Sequence, residues 1–203
     1  MTVNFQDETF RPTFSRGTAG AVIALCAISA VAVLLSGRTV DRVQIIPWLV
    51  FVAAMSWAMY WRPCVEVSAG EVKVVNVTRT YDIPWPAIEG IDTRWALTLE
   101  TTYGRVRSWA APAPGRQLLR RIDRGDLTIP GYRVGDVARP SDLSGTESGA
   151  AALIVRQRWQ ALREDGFLDD ARLEFERMPV TWHWDVVIGL PLLLAVAVAT
   201  VFV

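Results

Sequence analysis

Three long runs of apolar residues divide the chain. They cover residues 17–37, 45–61 and 186–203, and none of them contains a charged residue. A helix needs about 20 apolar residues to cross the hydrocarbon core of a bilayer, and each run is close to that length. Aromatic residues of the kind that lie at membrane interfaces gather at the ends of the second and third runs: Trp57, Tyr60, Trp61, Trp182 and Trp184. The pattern predicts a transmembrane hairpin over residues 17–61 and a third transmembrane helix over residues 181–203.

Two other interpretations of these runs are weaker. Buried helices of a soluble protein carry charged residues every few positions, and these runs carry none. A cleaved signal peptide would begin with basic residues, as Arg11 and Arg16 do here. The first run is too long for the apolar part of a typical signal peptide, however, and a second apolar run follows after a short loop. We therefore expect the hairpin to be retained.

The basic residues that flank the three runs predict the orientation of the chain. Cytoplasmic loops of membrane proteins are enriched in Lys and Arg. With the N-terminus inside, eight such residues lie inside: Arg11, Arg16, Arg62, Lys73, Arg79, Arg163, Arg172 and Arg177. Two lie outside, Arg38 and Arg42. This count predicts a protein of the cell (plasma) membrane, with a cytoplasmic segment at residues 1–16 and a cytoplasmic domain at residues 62–180.

The segment between the second and third runs has the pattern of a small antiparallel β domain. Apolar and polar residues alternate in short stretches, and turn signals recur every eight to twelve residues. The strands are predicted at residues 63–68, 71–77, 79–85, 88–91, 95–101 and 105–110. Residues 125–149 are rich in Gly, Pro, Ser and Asp and predict a loop, and an amphipathic helix is predicted at residues 148–165. The residues predicted to form the core are Trp85, Ile88, Ile91, Trp95, Leu97, Leu99, Val155, Trp159 and Leu162.

The order of these elements resembles a known family. Arg62 and Pro63 leave a membrane span, a Val-rich hairpin turns at Gly70, and a later strand pair turns at Gly104. Between them stands the run Ile83, Pro84 and Trp85, followed by Ile88 and Ile91, and a helix ends near residues 162–168. Over about half of the chain, this arrangement resembles the bacterial pleckstrin-homology (PH-like) domains of membrane-anchored actinobacterial proteins. The resemblance implies a PH-like antiparallel β domain closed by a C-terminal amphipathic helix, so the predicted fold class is membrane α plus α+β.

The resemblance does not extend to phosphoinositide binding. PH domains that hold inositol phosphates do so with basic residues around the first hairpin. The corresponding turn here, residues 68–71, contains no basic residue, and the first one after it is Lys73. PH-like folds also serve as protein-docking modules, and a fold by itself does not determine a function.

Composition and charge exclude several classes of protein. The chain has 203 residues, of which 51% are hydrophobic, and its 21 Lys and Arg balance 21 Asp and Glu. A disordered protein would have fewer apolar residues, and a general nucleic-acid binder would be basic. Two cysteines, Cys26 and Cys64, are too few for a disulfide scaffold.

No catalytic, metal-binding or cofactor-binding motif is present. The single histidine, His183, stands between two tryptophans at a predicted membrane boundary and is interpreted as a polar anchor. Neither a glycine-rich phosphate loop nor a C-x-x-C pair occurs, and no serine has the context of a nucleophile elbow. We therefore predict no catalytic residues, no cofactor, no metal and no small-molecule substrate, and expect the protein not to be an enzyme. A small membrane enzyme or transporter component is the least favoured alternative, since such proteins need charged residues inside their spans.

One stretch is strongly basic. Between residues 101 and 124, six arginines oppose the single acid Asp123, a net charge of +5. The six are Arg105, Arg107, Arg116, Arg120, Arg121 and Arg124. They are predicted either to contact anionic lipid headgroups or a partner, or to pair with the acidic second half of the same domain.

These features favour a non-enzymatic integral membrane protein that presents a PH-like domain at the cytoplasmic face. We expect it to act as a scaffold or accessory subunit for a membrane-protein partner, or as a homo-oligomer. The alternative is an anionic-lipid-sensing module that acts through the Arg-rich stretch. Membrane lipids are expected partners in either case, and nucleic acid is not.

Overall fold

The computed structural model describes residues 7–36, 38–112, 147–168, 173 and 176–202. In chain order the elements are β1 (Glu8–Phe10), α1 (Thr13–Leu35), α2 (Thr39–Ser56), β2 (Cys64–Val67), β3 (Glu71–Val75), β4 (Arg79–Pro84), β5 (Ile88–Asp92), β6 (Ala96–Thr101), β7 (Gly104–Pro112), α3 (Glu147–Glu164), β8 (Val180–Trp182) and α4 (Trp184–Ala199). The chain divides into two compact units, one built from strands and α3 and the other from the three apolar helices.

The three apolar helices are each long enough to cross a membrane, as predicted. The candidate spans are Thr13–Leu35, Thr39–Trp61 and Trp184–Phe202. The first two begin earlier than the apolar runs because their first turns contain polar residues. The second span ends in a π-helical turn, Trp57–Trp61, in which the Arg62 N–H donates to the Trp57 carbonyl at 3.1 Å. Within this unit, α2 packs against both α1 and α4.

The β-rich unit contains two antiparallel sheets. The first has the strand order β1-β2-β3-β4-β8, and the second has the order β5-β6-β7. The hairpin between β2 and β3 is closed at Ser68, whose N–H donates to the Glu71 carbonyl at 3.0 Å. Gly104 begins β7 with a φ of 113°, a conformation that favours glycine in this tight turn. These sheets and α3 confirm the predicted antiparallel β domain with its C-terminal helix.

Two strands of the first sheet were missed by the sequence pattern. β1 lies in the segment before the first apolar helix and pairs with β2, with Thr9 opposite Glu66. β8 comes just before the third apolar helix and lies beside β4, where the Asp82 N–H donates to the Pro179 carbonyl at 3.2 Å. Each is only three residues long, so neither contains enough positions to show an alternating pattern.

The core of the β-rich unit lies between the two sheets and α3. Most of the residues predicted for it are buried there: Trp85, Ile88, Leu97, Leu99, Val155 and Leu162. Ile91 and Trp159 are partly buried and pack against this cluster. The indole N–H of Trp85 also donates to the Ser68 carbonyl at 3.1 Å, so this side chain connects the core to the β2–β3 turn.

Trp95 is not a core residue, and its prediction as one is wrong. Trp95 alternates with Leu97 and Leu99, which would place it on the inner face of a strand that began at residue 95. In the structure β6 begins at Ala96, and Trp95 lies in the bend that precedes the strand. The side chain is 72% exposed as a result, whereas Leu97 and Leu99 are fully buried.

Truncation of these two neighbours should therefore have very different effects. We expect Leu97→Ala to lower the free energy of unfolding of the β-rich unit by about 3 kcal/mol, because it removes buried methyl groups and leaves a cavity. Trp95→Ala should change it by less than about 0.5 kcal/mol. Thermal unfolding of the purified full chain, followed by intrinsic fluorescence, measures both. Similar losses from the two variants would contradict the placement of Trp95.

Candidate interaction surface

The outer face of β7 combines arginine and tryptophan. Along this strand the inward positions are Val106 and Ser108, and the side chains that alternate with them point outward. Three residues share this outward face, which we call the β7 face: Arg105, Arg107 and Trp109. Trp109 is 56% exposed and lies beside the two arginines on this face.

Asn76 fixes the backbone that carries this face. Its side-chain amide donates from Nδ2 to the Arg107 carbonyl at 2.8 Å, and its Oδ1 accepts from the Trp109 N–H at 2.8 Å. The side chain thus makes the two hydrogen bonds that a neighbouring strand would otherwise make. The pairing of β6 with β7 shifts register in the same region, between Ala96 and Thr98. Bulges of this kind redirect side chains, and the one here is held by a buried polar group.

The two arginines of the β7 face differ in their surroundings. Arg105 lies opposite Glu100 on β6, and its guanidinium is 2.9 Å from the Glu100 carboxylate. Both side chains are exposed, so this pair stabilises the fold by less than about 1 kcal/mol. Arg107 lies opposite the uncharged Thr98. Among the residues that the structure describes, no carboxylate pairs with Arg107, so it contributes its positive charge beside Trp109.

The other arginines of the predicted basic stretch cannot be placed. Arg116, Arg120, Arg121 and Arg124 lie outside the described residues. Of the six candidates, the structure therefore brings together Arg105 and Arg107 on one strand. It adds Trp109, which lies beside them on the same face of the strand and was not among the predicted site residues.

The β2–β3 hairpin is poorly suited to hold a phosphate group. Lys73 is the basic residue of β3, and its ammonium lies 3.5 Å from the carboxylate of Asp82 and 3.7 Å from that of Glu71. The Asp82 carboxylate, more than that of Glu71, raises the pKa of Lys73 above its usual value. Two acids thus lie beside this ammonium. That phosphoinositide binding does not carry over remains a prediction.

Neither His183 nor the cysteines form a reactive cluster. The His183 ring is buried, with Nδ1 3.2 Å from the Val77 carbonyl, and its backbone N–H donates to the Thr78 carbonyl at 2.9 Å. Cys26 and Cys64 are buried thiols, and the Cys64 Sγ donates to the Glu66 carboxylate at 3.6 Å. Within the described part of the chain, no group of three or more His, Cys, Asp and Glu residues is arranged to hold a metal ion.

Asn76 is the positioning residue that the sequence analysis missed. The signal available was a polar side chain that directly follows the alternating valines of β3. Asn76 falls within the strand predicted at residues 71–77, because the alternation of apolar and polar residues resumes at Val77. Only the fold shows that the amide faces β7, since its partners are more than 30 positions away in the sequence.

Comparison with known proteins gives one match. A family model described as a bacterial PH domain matches residues 62–140. This confirms the resemblance to bacterial PH domains that the hairpin, the Trp85 region and the Gly104 turn indicated, and the actinobacterial and membrane-anchored details stay predictions. No curated protein and no solved structure matches the chain.

Removal of the Asn76 amide should destabilise the β7 face. Asn76→Ala leaves the Arg107 carbonyl and the Trp109 N–H without partners in a buried region, so we expect a loss of about 2 kcal/mol in the free energy of unfolding. Asn76→Asp retains the acceptor for Trp109 but not the donor to Arg107. Hydrogen exchange of the Trp109 amide, followed by mass spectrometry, should accelerate strongly in Asn76→Ala. Unchanged exchange in that variant would contradict the bridging role.

Proposed function

We propose that this protein is a non-enzymatic membrane scaffold or accessory subunit, and that its β7 face docks a partner protein. The premise is the match of residues 62–140 to the bacterial PH domain family. The observation that carries this proposal is the exposed Trp109 beside Arg107, on a backbone that Asn76 holds in place. The proposal has three parts: the position in the membrane, the orientation and the docking chemistry.

The position in the membrane is supported by the three long apolar helices. The PH domain follows the second candidate span directly, because Trp61 ends that span and β2 begins at Cys64. At its other end, β8 stops at Trp182 and the third candidate span begins at Trp184. Such short connections keep a domain at a membrane surface, and in a bacterium we assign this to the plasma membrane.

Two arguments bear on the orientation: the first favours the cytoplasmic side, and the second requires the N-terminal segment and the PH domain to share one side. The count of basic residues near the ends of the spans favours the inside for both the N-terminal segment and the PH domain. Independently, β1 precedes the first span and β2 follows the second, and the two strands pair with each other. Two strands of one sheet must lie on the same side of a bilayer, as they do when a helical hairpin separates them.

The docking chemistry follows from the residue types on the β7 face. Tryptophan and arginine are the residues that most often carry the binding energy of protein interfaces. Because Asn76 fixes the backbone on both sides of Ser108, little conformational entropy is lost when a partner binds. The complementary surface on a partner would offer an apolar pocket for Trp109 and a carboxylate for Arg107. That partner is a membrane protein or a second copy of this chain.

Anionic-lipid sensing is the second candidate function. It is favoured by the same two arginines, because Arg105 and Arg107 lie beside a tryptophan, and this combination also suits lipid headgroups. It requires the remaining basic stretch, Arg116 to Arg124, to contribute further charge near the membrane. Lipid sensing predicts that anionic phospholipid co-purifies with the chain, whereas the scaffold function predicts that a partner protein does.

A pull-down of the tagged full chain in mild detergent, followed by mass spectrometry, distinguishes the two. We expect one protein to co-purify in stoichiometric amount with the wild type and to be reduced at least about tenfold by Trp109→Ala or Arg107→Glu, since interface anchors of this type typically contribute 2 kcal/mol or more. Phe167→Ala is the matched control, since Phe167 is an exposed aromatic residue elsewhere in the same unit.

The opposite results are equally informative. Equal recovery of the partner with Trp109→Ala and with the wild type would contradict docking at the β7 face. Recovery of the chain alone with anionic phospholipid, lost in Arg107→Glu, would replace the scaffold proposal with lipid sensing.

A further inference from the structure

We propose that Arg16 and Trp61 form a binding site for the phosphate group of an anionic phospholipid, at the end of the helical hairpin where the chain enters and leaves the membrane. This inference concerns the helical unit alone and does not depend on the partner of the β7 face. It rests on the position of the Arg16 guanidinium, on the lack of an acidic partner for it within the described residues, and on the depth at which it lies.

The Trp61 ring holds the Arg16 guanidinium in place. Arg16 lies in the first turn of α1, and its Cζ atom is 4.5 Å from the centre of the Trp61 ring. Gly20 lies one turn later on the same face of α1, and a β-carbon there would be 3.7 Å from the Trp61 ring, an ordinary van der Waals distance. The indole thus packs along this face of α1. A guanidinium stacked on an aromatic ring is oriented in advance, with its edge free for a bidentate ligand.

Arg16 lacks the acceptor that its neighbour has. Arg62 also lies at this end of the hairpin, and its Nη1 is 2.6 Å from a carboxylate oxygen of Asp185 on α4. Among the described residues, no carboxylate pairs with Arg16. Its Nε is buried and has no hydrogen-bond partner. A buried donor of a charged group that remains unpaired is costly, so an acceptor from outside the chain is expected there.

The depth of the site identifies that acceptor. Trp57, Tyr60 and Trp61 are exposed aromatic residues at the end of the second span. Such residues lie at the level of the lipid headgroups. The acceptor available at that level is a phosphate group, and the planar fork of arginine matches two phosphate oxygens. Basic sites between helices at this interface recognise anionic headgroups rather than neutral ones.

Native mass spectrometry of the purified full chain tests this site. Phosphatidylglycerol and phosphatidylcholine with identical acyl chains are added in equal amounts, and the first bound lipid is counted. We expect the wild type to prefer phosphatidylglycerol. Arg16→Met, which keeps the apolar stem on Trp61 but removes the charge, should weaken this binding by about tenfold. Arg38→Met is the control, because Arg38 lies at the opposite end of the hairpin and is exposed beside Asp41.

A second variant and a competitor complete the test. Trp61→Leu keeps Arg16 but removes the ring that orients it, and should also reduce the preference for phosphatidylglycerol. An unchanged preference in a folded Arg16→Met protein overturns the proposal, as does an equal loss in Arg38→Met. Displacement of phosphatidylglycerol by inorganic phosphate at equal concentration would assign the site to free phosphate and overturn the lipid assignment.

Discussion

Backbone hydrogen bonds between strands from three separate parts of the chain constrain the rest of the structure. β1 comes before the first apolar helix, β2 to β4 follow the second, and β8 comes just before the third. All five strands belong to one sheet. A sheet cannot be divided by a bilayer, because its backbone groups need their partners. For a chain inserted in a bilayer through its apolar helices, the sheet therefore requires the segments that carry these strands to lie on one side, so that the two helices of the hairpin cross together.

The same need to satisfy backbone groups shapes the candidate interaction surface. Where β6 and β7 lose their regular pairing, the Asn76 side chain supplies the missing donor and acceptor. This allows β7 to bulge without leaving buried polar groups unpaired. The backbone that presents Trp109 is thus held by one side-chain amide that lies directly after β3. A surface held in this way is rigid, which suits recognition of a partner better than a mobile loop would.

Charge pairing at the helix ends follows a similar logic. Arg62 and Asp185 belong to different apolar helices and neutralise each other at their ends, which ties the hairpin to the third helix. Arg16 contacts an aromatic ring, and no acid within the described residues pairs with it. This difference between the two arginines is the physical basis for proposing a lipid phosphate beside Arg16.

Much of this fold can be predicted from the sequence, and the exceptions have physical reasons. The spans are visible because a bilayer requires long apolar runs, and β2 to β7 are visible because each is half-buried and alternates. Strands as short as β1 are stable only through their neighbours and leave no pattern of their own. Trp95 was misplaced because alternation does not show where a strand ends.

The candidate site was less predictable than the fold. Asn76 and the pair Arg16–Trp61 depend on contacts between distant positions, which spacing along the chain cannot reveal. Four of the six predicted arginines lie outside the described residues, so for them the sequence remains the only guide.

The central claim, that the sheet fixes which parts of the chain share one side of the membrane, can be tested by thiol labelling. Single cysteines are placed at Thr9, Ser36 and Thr102, which are all exposed, in a chain with Cys26 and Cys64 replaced by serine. With a membrane-impermeant maleimide on intact cells, we predict labelling at position 36 only, and labelling at positions 9 and 102 after permeabilisation. Labelling of positions 9 and 102 from opposite sides would contradict the account.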